Sequence, residues 1–305
     1  MADVIRRADL EAQEVSYPDY IGGKILPFLA KPQQAGTLYY QAFESDVTAQ
    51  AGRAWASLSS ITANTITAST TTFNTSEIRA RIQLGYAGIK GFESKEGADM
   101  MMGRMAKRSF LNKIETTIAD KLLNVDSPTN GISDPVSTID AAVTALRDKG
   151  VGRLAMATSN FNFVRFKNDS TVKARMQNTG VAFYGLEPRL ITAEQMAAVL
   201  GVDEVLIGRD DLWHSGINSE DRGNIALVIL PNEIEDPAEA VQLGRTIYFD
   251  WDSADGRYII ESWHNAITDS EVVDCKGLVD VKVFNDALCS TIQIFEASAA
   301  SSSSN

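Results

Sequence analysis

Residues 31–123 place three segments of unlike character in succession, without a domain-like break. Residues 37–43 (TLYYQAF) are short, aromatic and extended in character. Residues 57–76 (SLSSITANTITASTTTFNTS) are more than half Ser and Thr. They run into an alternating stretch in which Ile78, Ala80, Ile82, Leu84 and Tyr86 share one face. Residues 94–123 read as one long helix. A strand, a long polar excursion, a return strand at 78–86 and a long helix describe an arm hinged on a rod. A two-stranded excursion cannot bury itself and is marginal alone, so the arm is expected to lie on a neighbouring subunit. That requirement points to assembly rather than catalysis.

Composition sets the remaining bounds. At 305 residues, one large or two closely linked lobes are expected, and 44% hydrophobic content rules out wholesale disorder. No apolar run approaches the ~20 residues that span a bilayer. Residues 1–14 (MADVIRRADLEAQE) are charged and lack the apolar stretch of a secretory signal, so the chain is expected to be cytosolic when made. The two cysteines, Cys275 and Cys289, then read as reduced core residues, with a disulfide between adjacent strands as the alternative. The formal net charge is −12, whereas firm binding of nucleic acid needs clustered Lys and Arg. The densest basic run, Arg104, Lys107, Arg108 and Lys113, is interleaved with Asp99, Glu115 and Asp120 and reads as a solvated helix face, with a nucleic-acid site as the alternative.

Along the chain, residues 8–14 suit a helical or mobile start. Pro18, Pro27 and Pro32 suit an extended segment rather than a helix. The long helix carries Met101, Met105, Leu111, Ile114, Ile118 and Leu122 at helical spacing, widened by Phe110 and Leu123. It ends before the turn formers of 126–131 and would be ~40 Å long. From 137 helices and strands alternate: a helix capped by Thr138, a strand at 153–158, an aromatic helix at 159–167, a strand ending at Ile191 and a helix with capping-box spacing at Thr192 and Gln195. Strands follow at 203–208 and 224–230, the second apolar enough to be buried on both faces. The rest is β-rich: 246–251, 257–264, 271–275, 279–284 and 288–295, then a low-complexity tail at 298–305 expected to be mobile.

Catalytic and cofactor patterns fail on spacing. His214 and His264 have no ligand-spaced partner for zinc, no Gly-x-Ser-x-Gly elbow or Walker loop occurs, and Gly85, Gly88 and Gly91 make no dinucleotide fingerprint. Asp250, Asp252, Asp255 and Gly256 resemble a calcium loop, but the third Asp and the Gly each come one residue late. Asp255-Gly256 between two strand-like runs reads instead as a hairpin. Trp213 and His214 read as an exposed loop or subunit contact. No catalytic residue, cofactor or metal is expected; an enzyme would have to rest on buried carboxylates such as Asp250 or Glu261.

The order of elements resembles the major capsid proteins of tailed bacteriophages, the Hong Kong 97-type fold. The local match lies in residues 191–208 (ITAEQMAAVLGVDEVLIG), a helix, a Gly-Val-Asp and a strand, and in the strand-like ending after Gly244. The resemblance covers nearly the whole chain, on patterns of packing rather than of chemistry. It implies an α+β fold with an N-terminal arm (1–32), an extended two-stranded loop (33–90), a long spine helix in a peripheral domain (91–129) and an axial α/β domain (130–245). Return strands of the axial and peripheral domains (246–297) and a disordered tail (298–305) complete it.

The function implied is that of a capsid subunit forming pentamers and hexamers of an icosahedral shell around the phage genome. Its partners would be itself, a separate scaffolding protein, a portal, possible decoration proteins and double-stranded DNA in weak non-specific contact, with no membrane. It would be assembled in the host bacterial cytoplasm and reside in the virion. Leu38, Tyr40, Phe43, Trp55 and Phe73 on the arm would anchor against a neighbour. Some members of this family weld loops by a Lys–Asn bond; no lysine lies between Lys31 and Lys90, so no such cross-link is expected. About 30 residues precede the loop, hence the separate scaffold. An encapsulin-type compartment is the nearest alternative, and a tail or other virion protein or an enzyme of unknown substrate the more distant ones.

Overall fold

A computed structural model describes residues 4–12, 21–31, 38–44, 67–73, 75–92, 94–149, 152–178, 191–230, 243–250 and 256–296. Trp55, Leu190, Asp252, Asp255, the first half of the Ser/Thr-rich segment and the 298–305 tail lie outside them. In chain order the elements are β1 (Ile5–Arg6), α1 (Ala8–Glu11), α2 (Gly22–Ile25), β2 (Phe28–Lys31), β3 (Leu38–Glu44), β4 (Thr67–Phe73), β5 (Ser76–Gly85), α3 (Tyr86–Ile89) and α4 (Lys95–Leu122). Next come β6 (Thr129–Asn130), α5 (Pro135–Lys149), β7 (Arg153–Ser159), α6 (Asn160–Phe166), α7 (Ser170–Asn178), α8 (Ala193–Leu200), β8 (Glu204–Gly208) and α9 (Asp210–Trp213). The chain closes with β9 (Asn224–Leu230), β10 (Gly244–Phe249), β11 (Ile259–Asn265), β12 (Ser270–Val283) and β13 (Cys289–Gln293).

The 28-residue α4 organises the molecule. Ser94 caps it by accepting from the Gly97 amide at 3.0 Å. It lies across β5 and β12 of a six-stranded sheet ordered β1-β11-β12-β10-β2, with β5 also paired to β12. Its buried stripe runs through Ala98, Met102, Ala106, Phe110, Ile114, Ile118 and Leu122. The N-terminal half is therefore in a different phase from the one expected: Met102, not Met101, is buried, and Met105 is 48% exposed. The other end of α4 is handed to a second sheet, ordered β6-β13-β9-β7-β8. The Leu122 carbonyl accepts from the Thr291 hydroxyl at 3.4 Å and the Leu123 carbonyl from Asn224 Nδ2 at 3.1 Å, which satisfies helix-end acceptors. One rod thus ties both sheets together.

The second sheet follows its sequence closely. All seven residues of β9 are buried between β13 and β7, as a continuous apolar run requires. The capping box at α8 is closed in both directions, Thr192 to Gln195, and Gly201 ends the helix at φ 69°. Helix α5 starts a turn earlier than Thr138: Asp134 Oδ1 accepts from the Ser137 amide and Pro135 opens the helix, a position where proline loses no hydrogen bond.

Three expectations about the first sheet are corrected. The stretches 271–275 and 279–284 are one strand, β12, because Gly277 stays in the ladder. A Cβ there would stand 2.5 Å from the Arg257 carbonyl oxygen and 2.8 Å from Phe110 Cζ, so the glycine serves close packing and not a break. Asp255-Gly256 does not join a paired hairpin. Strands β10 and β11 both pair with β12, along its successive parts, because that strand is long enough to template each. The N-terminal segment is also less extended than its prolines suggest, since Gly22–Ile25 forms a helical turn before β2 joins β10 in parallel.

Candidate assembly surface

Strand β3 pairs antiparallel with β4, and this two-stranded ribbon joins neither of the larger sheets. The expected return strand, residues 78–86, belongs elsewhere: β5 pairs along β12 in the body. Its alternation was correctly read, with Ile78, Ala80, Ile82 and Leu84 turned inward and Glu77, Arg79, Arg81 and Gln83 outward. Tyr86 falls beyond it, in α3, and is exposed. Alternation tells which face is buried, but a half-buried strand can be claimed by any partner of matching length. The true return strand is TASTTTF within the polar segment, where β-branched Thr suits an extended chain without an apolar run. Register sets Leu38 opposite Phe73, Tyr40 opposite Thr71 and Phe43 opposite Ala68. Of the five arm residues named from sequence, four are thus on the ribbon, and Trp55 lies outside the described residues.

Apolar side chains are exposed on the body. Ile267 is 96% exposed at the turn joining β11 to β12, and Ile5 on the neighbouring edge strand and Val4 just before it are exposed as well. Between them a cleft of ≈ 870 Å³ is lined by Arg7, Lys95, Asp99, Trp263, His264 and Glu271, among others. Its charges answer one another: Arg7 meets Asp99 at 2.8 Å and Lys95 meets Glu271 at 2.7 Å. The first pair ties the N-terminal segment to the start of α4, and the second ties that end of α4 to β12. Among the described residues no three His, Cys, Asp or Glu side chains gather as a metal site would need.

The buried polar groups are structural. Glu115, fully buried, accepts from the Ile21 and Gly22 amides at 3.2 and 3.0 Å and from Trp213 Nε1 at 2.7 Å. Burial pushes its carboxyl up to about 7, against the pull of those donors. Trp213 is therefore core, not the exposed contact that its neighbourhood suggested. Lys107, expected on a solvated face, is also buried; its ammonium donates to the Glu11 carbonyl at 2.7 Å and lies over Tyr258. Asp250 and Glu261 are only half-buried, and Glu261 pairs with Lys276 at 2.8 Å. Cys275 and Cys289 are both buried and unbridged. No helix of the described chain is long and apolar enough to cross a membrane.

Two linked sheets, a rod shared between them and a ribbon outside both make a mixed α+β fold. Comparison with known proteins bears on the same point. No family model and no curated protein matches the chain. Solved structures do. A phage-related protein from Bordetella bronchiseptica RB50 is similar over 95% of this chain and 97% of its own, with a TM-score of 0.62 at 14% identity. The capsid of cyanophage P-SCSP1u matches over 93% and 91% with a TM-score of 0.58 at 8% identity. The SrpI encapsulin complex from Synechococcus elongatus PCC 7942 matches over 93% and 89% with a TM-score of 0.53 at 9% identity.

Proposed function

We propose that this chain is a structural protein, the major capsid subunit of a tailed phage, which assembles with itself into the pentamers and hexamers of an icosahedral shell. The observation that carries the reading is likeness in fold, over nearly the full length of both chains, to a phage-related protein and a cyanophage capsid. The ribbon β3–β4 supplies a physical reason. Two strands alone are marginal, and a surface that lies on a neighbour also lets one chain adapt to five- and six-fold surroundings. In this scheme residues 1–32 form the arm, 33–90 the extended loop, 91–129 the spine and peripheral part, 130–245 the axial part, 246–297 the return strands and 298–305 the tail. Leu38, Tyr40, Phe43, Trp55 and Phe73 anchor the loop on the next subunit. A separate scaffold, a portal, decoration proteins and weakly held double-stranded DNA complete the particle, built in the bacterial cytoplasm, and catalysis has no part in it.

A compartment shell of the encapsulin kind is the second reading, favoured by the SrpI likeness. Electron microscopy of the purified chain, alone and with its neighbouring genes, tests both. Uniform closed particles are expected, with DNA inside for a phage shell and a cargo enzyme for a compartment. A small monodisperse species under both conditions would overturn the shell reading.

A further inference from the structure

Among the described residues, the large apolar side chains more than half exposed are Val4, Ile5, Tyr86 and Ile267. All four stand at one end of the first sheet. Ile5 pairs with Ser262 of β11, with Val4 just before it, and Ile267 tips the turn from β11 to β12. The Tyr86 amide donates to the Asp269 carbonyl of that turn at 3.2 Å. Apolar side chains gathered on one corner mark a contact surface, whereas single ones scattered elsewhere need no cause.

The turn itself is tied down. Asn265 Oδ1 accepts from the Ile267 amide at 3.1 Å, and Gln83 Nε2 donates to the Thr268 and Ser270 hydroxyls at 2.8 and 2.7 Å. Asp269 closes it at φ 44°, a left-handed conformation that aspartate enters more readily than most side chains. Ile267, between the smaller Ala266 and Thr268, is thus offered at a fixed position, and a contact there needs little further ordering. Beside it opens the cleft of ≈ 870 Å³, with Ile5 and Trp263 among its walls.

We propose that this corner joins one copy of the chain to the next, the Ile267 tip of one seated in the cleft of its neighbour. The inference rests on the shell reading. A second copy is the partner because knob and cleft lie side by side on one surface, so each copy both gives and receives. A contact of that kind repeats about an axis and closes into a ring when the rotation allows. Charge points the same way. The chain carries a formal net charge of −12, so copies repel, and they meet best where charge is balanced locally. The cleft is such a place: Arg7 is paired with Asp99, Lys95 with Glu271, and His264 Nδ1 stands 3.6 Å from the Glu271 carboxylate. This contact is separate from the ribbon, since it uses only β1, β11, β12 and the start of α4.

The purified Ile267→Asp chain should melt as wild type does, because the side chain is exposed, and should form no closed particles under electron microscopy. Ile267→Ala should raise the concentration at which particles appear about tenfold, for one buried aliphatic side chain lost per contact, and Ile267→Leu should restore it. Ile132→Asp, a charge added at an exposed apolar side chain elsewhere, should assemble normally. Loss of particles in both Asp variants would assign the effect to added charge and overturn the corner. Cross-linking reads the contact directly. Chains with Ile267→Cys are mixed with chains carrying Ile5→Cys, assembled and treated with a short bismaleimide; Cys275 and Cys289 are buried and stay out of reach. A covalent dimer from the mixture, absent from either variant alone, is expected. Ile267→Cys chains linked only to themselves, or particles without linkage, would overturn the knob in the cleft. Normal particles from Ile267→Asp would defeat the corner and leave the shell reading standing. Absent wild-type particles would defeat the shell reading, and the corner with it unless the mixed dimer still forms in solution.

Discussion

Single residues set the molecule's response to pH. Glu115 sits where α4, the turn at Ile21–Gly22 and Trp213 meet, and it accepts four contacts from the Ile21 and Gly22 amides and Trp213 Nε1. Its carboxyl titrates near 7 when folded, raised by burial from an ordinary 4.5. The folded chain thus holds this proton more tightly than the unfolded chain. Its favourable contribution is complete below pH 4.5 and is lost as pH rises through 7, by on the order of 3 kcal/mol. Melting temperatures across that window should therefore fall more steeply for wild type than for Glu115→Gln, which cannot ionise. Parallel profiles for the two proteins would rule Glu115 out as the titrating group. Lys107→Met makes a related point. Loss of the bond to the Glu11 carbonyl should loosen residues 4–12, read as faster hydrogen exchange at Leu10 and Glu11. Nothing in the sequence marked Lys107 or Glu115 as buried. Each is one charge among many on a helix, and burial depends on partners 96 and 93 residues away.

Elements are where local reading succeeded or failed by the range of the forces involved. The span of α4, the cap of α8, and the buried run of β9 were legible because caps and periodicity act within a turn or two. Strand pairing was not. The hairpin signal of Asp255-Gly256 lost to the long template of β12, and the return strand of the ribbon moved from 78–86 to Thr67–Phe73. Gly277 tests the packing of rod on sheet directly. Gly277→Val would push atoms into Phe110 and the Arg257 carbonyl, and should cost about 1–3 kcal/mol, seen as a lower denaturant midpoint. A midpoint equal to wild type would mean that α4 does not approach β12 so closely.

At the scale of the whole molecule the ribbon is expected to be dispensable for folding and required for assembly. Deleting residues 50–72 removes nearly all of β4 but none of the two sheets bound by α4. The product should be soluble, with a melting temperature close to wild type, and should form no closed shells under electron microscopy. Normal particles from this deletion would sink the role given to the ribbon and to Leu38, Tyr40, Phe43 and Phe73. An unfolded product would show instead that the ribbon belongs to the body. The sequence by itself determined the rod of α4, the capped helix α8 and the buried strand β9. These follow from composition and from interactions between near neighbours. Only the tertiary structure decided which strand closes the ribbon, that β12 serves both β10 and β11, and which charges of α4 meet water. A ladder or a buried charge is stabilised by groups remote along the chain, and local spacing carries no record of them.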